Sequence, residues 1–200
     1  MKILIKNKTM TSRLIKKSIG ACLLGASFLI AGTVSAQTKT DKTTMSAAKK
    51  DERPSPPSTV KGTAGDLDIT ISYSQPGVKG RTIFGDLVPY GKIWRTGANE
   101  ATIVEVSRDC KVGGSFLKSG KYALFSIPGE SEWTIIFNSV PDQWGAYKYE
   151  ESKDALRFKV KSEKSKEFYE RLTFAIDADK TGNGTVSLMW ENTMVSWEMR

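Results

Sequence analysis

Histidine is missing from all 200 residues of this chain. Because Ser-His-Asp and Cys-His catalysis needs an imidazole base, its absence excludes both, together with histidine-ligated zinc and copper sites. Cysteine is scarce, with only Cys22 and Cys110. Cys22 falls in a segment typical of a cleaved leader, so we expect no intrachain disulfide and interpret Cys110 as a small buried residue. The sequence predicts no catalytic triad, no metal and no cofactor.

The first 36 residues have the three parts of a secretory signal. Residues 2–17 carry six basic side chains and no acid, an apolar run follows over residues 19–31, and Val34 and Ala36 fit the positions before a cleavage site. We therefore predict a signal peptide over 1–36 and a periplasmic or extracellular protein. The run is shorter than the about 20 residues that a span needs, so we expect no stable membrane span after cleavage, a retained anchor being the alternative.

The positive charge of the chain belongs to this leader. The chain has 30 Lys and Arg against 22 Asp and Glu, and six of the basic residues precede Gln37. The remainder has 24 basic and 22 acidic residues, a net charge of +2. Nucleic-acid binding requires basic residues concentrated on the folded domain, so we predict no nucleic-acid partner.

A polar segment separates the leader from the domain. Residues 37–53 contain too few apolar side chains to offset the entropy of ordering, which predicts a disordered linker. Prolines at 54, 56 and 57 stiffen the approach to the fold. The predicted domain covers residues 54–200.

Within that domain the main signal is period two. Apolar and polar residues alternate over 67–73, 156–161, 172–176 and 186–190, whereas 122–127 and 133–137 are apolar on both faces, as in central strands. Glycine-containing turns separate the runs, and 164–170 is a candidate for one helical turn. The pattern predicts an all-β fold, an antiparallel β-sandwich or jelly roll in a single domain.

Residues 75–100 break the alternation. They contain five glycines together with Phe84, Tyr90 and Trp94. A long irregular segment in a compact domain is usually functional or disordered, and the aromatic side chains favour function.

Three motifs give this domain a family resemblance: Gly-Arg-Thr-Ile-Phe-Gly over 80–85, Val-Pro-Tyr-Gly-Lys-Ile-Trp-Arg-Thr-Gly-Ala-Asn-Glu-Ala-Thr over 88–102, and Gln-Trp-Gly-Ala-Tyr over 143–147. From about Pro56 to Trp190 the chain resembles the exported bacterial family known as domain of unknown function 2911. The resemblance implies a secreted, mostly β domain and no established activity.

The same motifs collect side chains suited to binding a polar ligand. Arginine presents a planar fork that fits carboxylates and sugar hydroxyls, and aromatic faces offer a stacking surface. The candidate ligand-binding residues are Arg81, Tyr90, Trp94, Arg95, Asn99, Glu100 and Trp144. The leading hypothesis is a non-catalytic binding module of the cell envelope for a glycan or another carboxylate- or hydroxyl-rich molecule.

Two other functions remain open. Glu100 and Asp86 could act as the two carboxylates of a hydrolase. Alternatively, pairs such as Arg95–Glu100 or Arg81–Asp86 only tie the segment to the sheet, and the domain is structural or binds a protein partner. Tyr147 and Tyr149 could line the site with Trp144 or cap one end of the fold.

One further motif has two interpretations. Residues 177–183 carry oxygen-bearing side chains at alternate positions, as in the first half of a calcium loop, but Leu188 stands where that loop has a glutamate. The sequence favours a plain hairpin turn here.

Overall fold

Strands form almost all the regular structure of residues 53–200, the part of the chain that the computed structural model describes. Their bounds are β1 Pro57–Ala64, β2 Leu67–Ser74, β3 Thr102–Val106, β4 Cys110–Val112, β5 Ser115–Leu117, β6 Gly120–Ile127, β7 Glu132–Asn138, β8 Asp154–Ala178 and β9 Gly184–Met199. A 3-10 turn, Glu151–Lys153, precedes β8. No helix in this part of the chain has the length and apolar character to cross a membrane.

The nine strands form one antiparallel sheet in the order β1-β2-β3-β6-β7-β8-β9-β4-β5. The all-β class is therefore confirmed, whereas its division into the two layers of a sandwich stays a prediction. β6 and β7 lie in the interior of this order, in agreement with their apolar character on both faces. The turns at Gly65–Asp66, Gly113–Gly114 and Pro128–Gly129 join neighbouring strands of the sheet.

β8 and β9 are long strands, and each pairs with two neighbouring strands of the sheet. The first part of β8 pairs with β7 over Asp154–Lys161, and its later part, Ser162–Ala178, pairs with Gly184–Val195 of β9. The helical turn predicted over 164–170 is wrong, because β8 continues through it. Two register shifts with β9 lie there, and Ser165 Oγ donates to the Glu167 carbonyl within the irregular stretch. Bulges of this kind bend a strand without ending its ladder.

The sheet curls until β1 approaches β8. A Cβ atom placed on Gly62 of β1 would lie 2.5 Å from Ile176 Cγ2 and 2.8 Å from Ile176 Cβ, both on β8. Only a residue without a side chain allows this approach.

The main core lies on one face of the sheet and includes an aromatic cluster. Trp133 and Trp190, which lie in the strand-like runs 133–137 and 186–190, are each 1 % exposed. Phe84 contacts Trp133 edge-on, with ring centroids 4.8 Å apart, and Trp94 stacks on Trp190 with centroids 5.9 Å apart. Phe84 and Trp94 come from the irregular segment, so that segment supplies part of the core.

A second, smaller apolar cluster covers the opposite face of the central strands. Its buried members are Ala101, Ala123, Phe125 and Ile136, and Tyr149 packs against them. The irregular segment and the 139–150 loop therefore cover the face that would otherwise meet water. This arrangement explains why β6 and β7 are apolar on both faces.

Residues 53–200 fall within one compact unit. The predicted signal peptide, its cleavage site and all of the predicted linker except Arg53 lie outside the described residues. Arg53 forms an ion pair with Glu100, with Nη1 2.9 Å from Oε1.

Candidate functional site

Backbone hydrogen bonds fix the course of residues 75–101 across the sheet. Trp94 exchanges two with Ser126 of β6, N to O at 2.8 Å and O to N at 2.9 Å. At the start of the segment, Val78 N donates to the Glu170 carbonyl and Leu172 N to the Pro76 carbonyl. Backbone hydrogen bonds to both β6 and β8 therefore fix the segment against the sheet.

A strained turn lies between Trp94 and β3. Thr96 has φ 52°, in the left-handed region that β-branched residues rarely adopt. Its side chain is fully buried, its Oγ1 donates to Ser126 Oγ at 2.9 Å, and its carbonyl accepts from Thr102 Oγ1 at 2.8 Å. Strain of this kind persists only where surrounding contacts enforce it, and it concentrates at binding and catalytic sites. The turn sets the position of Arg95, the preceding residue.

Arg81, Trp94 and Arg95 converge on one cavity of about 250 Å³, here called the arginine cavity. Its lining residues are Ser55, Pro76, Arg81, Leu87, Val88, Trp94, Arg95, Gly97, Ala98 and Trp190. None of these is an aspartate or a glutamate, whereas two are arginines. The cavity therefore has a positive lining and an apolar wall.

Two lining residues carry buried N–H groups without a partner. Arg95 Nε and Trp190 Nε1 are both shielded from water, and neither donates a hydrogen bond within the described part of the chain. Burial lowers the pKa of Arg95, and the nearby Tyr147 opposes that effect. A buried donor left unsatisfied costs about 1–3 kcal/mol, and Trp197 Nε1, which does not line this cavity, is buried without a partner in the same way.

Arg81 is tied to its own loop. Its Nε donates to the Val78 carbonyl at 3.0 Å and its Nη2 to the Gly77 carbonyl at 2.7 Å. Within residues 53–200 neither Arg81 nor Arg95 forms an ion pair with a carboxylate, and Glu100 pairs with Arg53 instead. The suggested pairs Arg95–Glu100 and Arg81–Asp86 therefore do not hold the segment in place.

The other predicted site residues lie elsewhere. The Tyr90 ring packs over Gly85, which has φ 93° and where a Cβ would lie 2.9 Å from Tyr90 Cε2. Asn99 Nδ2 donates to the Ser55 carbonyl and to Ser74 Oγ. Glu100 and the exposed Trp144 line a separate groove of about 290 Å³. The structure thus brings together three of the seven predicted residues.

The family comparison covers this whole arrangement. The family model described as protein of unknown function, DUF2911, matches residues 55–199, which include every residue that lines the arginine cavity. The chain belongs to the DUF2911 family. The comparisons with curated proteins and with solved structures found no match.

Sequence reasoning missed Trp190 as a lining residue of this DUF2911 domain. Its position in the alternating run 186–190 indicated burial, which is correct, but burial does not show that an edge of the ring lines a cavity. Val88 begins the recognised motif 88–102 and Leu87 immediately precedes it, and neither had a predicted role. The motif 88–102 marked the correct segment, and only the folded chain shows which side chains share a space.

Local geometry indicates structural roles for Cys110 and for the turn at residues 179–183. Cys110 on β4 is buried, and burial, with a smaller contribution from Asp109, raises the pKa of its thiol, as expected for a packing residue rather than a nucleophile. Residues 179–183 form the turn between β8 and β9. Asp179 Oδ1 accepts hydrogen bonds from the backbone N–H groups of Thr181 and Asn183 and from Thr181 Oγ1, so this carboxylate stabilises the hairpin.

Tyr149 caps the second apolar cluster of the DUF2911 domain. Its ring contacts Phe125 edge-on at 5.0 Å, and its hydroxyl donates to Asp154 Oδ2 at 2.7 Å. Burial and this hydrogen bond raise the pKa of Tyr149 above its usual range. Of the two interpretations considered for this residue, the contacts fit a cap.

Tyr149→Phe is expected to lower the free energy of unfolding by about 1 kcal/mol at neutral pH, since a hydrogen bond to a carboxylate is lost. The folded pKa lies above the unfolded value of about 10, so the stabilisation is complete below pH 10 and declines as pH rises beyond it. The difference between wild type and variant should shrink accordingly. Urea unfolding from pH 7 to 11 measures it, with Tyr147→Phe, whose ring is 88 % exposed, as the control. A difference independent of pH would contradict this account.

Proposed function

We propose that this DUF2911 domain is a non-catalytic ligand-binding module of an exported protein. Its site is the arginine cavity, and its ligand is a glycan or another carboxylate- or hydroxyl-rich small molecule. The observation that carries the proposal is that two arginines and no acid line one cavity beside an apolar wall. A carboxylate or hydroxyl oxygen of a ligand in this cavity would accept hydrogen bonds from a guanidinium group.

Rigidity supports binding as the role of this cavity. Trp94 is held by backbone bonds to Ser126, and its Nε1 donates to the Gly97 carbonyl at 3.1 Å. Thr96 is fixed by buried hydroxyl groups on both sides. A site whose walls are held in place before binding loses less entropy when the ligand arrives.

The arrangement favours binding over hydrolysis. A hydrolase of the carboxylate type needs two acids on opposite sides of the scissile bond. The arginine cavity is lined by no acid, and Glu100 lies on a different groove and pairs with Arg53. We therefore place no catalytic residue in the cavity.

Titration of the full chain against panels of glycans and small organic acids tests the proposal. We expect at least one compound to bind, and Arg95→Gln to weaken that binding about tenfold or more, because a charge-assisted hydrogen bond contributes about 1.5–3 kcal/mol. Isothermal calorimetry gives the affinities, and thermal unfolding shows whether the variant is folded.

Arg108→Gln is the matched control. Arg108 follows β3 at the end away from Thr102, is half exposed and pairs with Asp66, so the substitution makes the same change of charge outside the cavity. Its affinity should equal that of wild type. Binding that survives Arg95→Gln unchanged for every active compound would show that the cavity is not the site.

A further inference from the structure

The polar side chains that line the arginine cavity are almost all donors. Arginine and the tryptophan ring nitrogen donate hydrogen bonds and accept none. Arg81, Arg95, Trp94 and Trp190 carry such groups, and Ser55 is the one other lining residue with a polar side chain. A sugar hydroxyl has a proton to donate as well as lone pairs to offer, so a neutral sugar would find few acceptors here. A ligand rich in acceptors and free of donors matches this lining.

The tryptophan faces are not available for stacking on a sugar ring. Trp94 and Trp190 lie nearly parallel to one another, with 18° between their planes, and Phe84 meets each of them edge-on. Both indoles are almost wholly buried, so only small parts of them reach the cavity. Sugar-binding sites characteristically use an exposed aromatic face, and this cavity does not offer one.

The remaining wall is apolar and the space is small. Pro76, Leu87, Val88 and Ala98 contribute aliphatic surface beside the two arginines. A volume of about 250 Å³ is below the usual range of about 300–1,000 Å³ for drug-sized ligands. A small molecule with an apolar body and one anionic end would fit this cavity.

We infer that the arginine cavity selects a small organic carboxylate with an apolar body, and discriminates against neutral sugars. This inference rests on the proposed function and narrows its ligand class. Arg81 and Arg95 line the cavity, and a guanidinium fork matches the two oxygens of a carboxylate. The apolar body lies against Leu87, Val88 and Pro76.

Matched pairs of probes test the inference on the full chain. The probes are acetate, cyclohexanecarboxylate and phenylacetate, each compared with its own amide, together with glucose and glucuronate. The amide keeps the shape and removes the charge. We expect the two ring carboxylates to bind at least about tenfold more tightly than their amides, as a charge-assisted contact predicts, and glucose to show no binding.

Two variants assign the selectivity to its residues. In Arg95→Gln the carboxylate-to-amide ratio should fall close to one, whereas Arg108→Gln should keep it. Thermal unfolding of each variant shows that these changes come from a folded protein.

The outcomes separate the inference from the proposed function. If neutral glycans bind in an Arg95-dependent manner and the carboxylates do not, the inference is overturned and the proposed function stands. Equal binding of acids and amides, or carboxylate binding that Arg95→Gln leaves intact, also overturns the inference. If no glycan and no carboxylate binds, both the inference and the proposed function fail.

Discussion

Trp190→Ala is expected to lower the free energy of unfolding by about 3–5 kcal/mol, the usual cost of truncating a buried tryptophan. The ring is 1 % exposed, stacks on Trp94 and meets Phe84 edge-on at 6.0 Å. Truncation leaves a void inside the aromatic cluster, and the neighbouring Trp94 cannot move in because its backbone is bonded to Ser126. Urea unfolding followed by fluorescence and by circular dichroism measures the loss.

The chain provides its own control for this substitution. Trp144 is 61 % exposed, and Trp144→Ala should change stability by less than about 1 kcal/mol. The two variants remove the same type of side chain, one from the core and one from the surface. Equal effects would mean that the aromatic cluster does not stabilise the domain in the way described.

Gly62→Ala is expected to destabilise the domain by about 1–3 kcal/mol, as overpacking does. The added methyl group would overlap Ile176 at its Cβ and Cγ2, atoms that lie next to the β8 backbone and have little freedom to move. The sign of the effect is informative. A glycine replaced by alanine without a clash would raise stability by about 0.4–1 kcal/mol instead.

A double-mutant cycle isolates the contact. Ile176→Ala removes Cγ2, the nearer of the two atoms that clash, and keeps Cβ. Gly62→Ala should therefore cost less in that background, with a coupling of about 1 kcal/mol. Denaturant midpoints of the four proteins give the cycle. Additive effects would show that β1 and β8 do not approach one another at this point.

Much of the fold follows from the alternation of apolar residues. The runs at 67–73 and 186–190 gave β2 and part of β9 because one face of each strand is buried. The runs at 156–161 and 172–176 were taken as separate strands, and they belong to a single one, β8. The polar stretch between them hid this continuity, since a bulged strand with mostly exposed side chains lacks the alternation that reveals a buried one.

The site was predictable only in part. Glycine, arginine and aromatic residues in one irregular segment identified where a cavity would form, and Arg81, Trp94 and Arg95 do share it. Tyr90 and Glu100 belong to the same segment but do not line the cavity. Backbone hydrogen bonds to Ser126 and Glu170, which are far along the chain, decide the course of the segment. No local pattern contains that information. Trp190 was recognisable as buried but not as part of the lining for the same reason.

β9 carries Trp190 at the cavity and, at its far end, Met199 opposite Val112 of β4. Gly184–Val195 of the same strand pairs with Ser162–Ala178, the later part of β8. One strand therefore connects the cavity with the β8 ladder and with the β4–β5 edge of the sheet. A molecule bound beside Trp190 would therefore oppose separation of β9 from its neighbours, and the occupied domain should resist proteolysis along this strand better than the empty one.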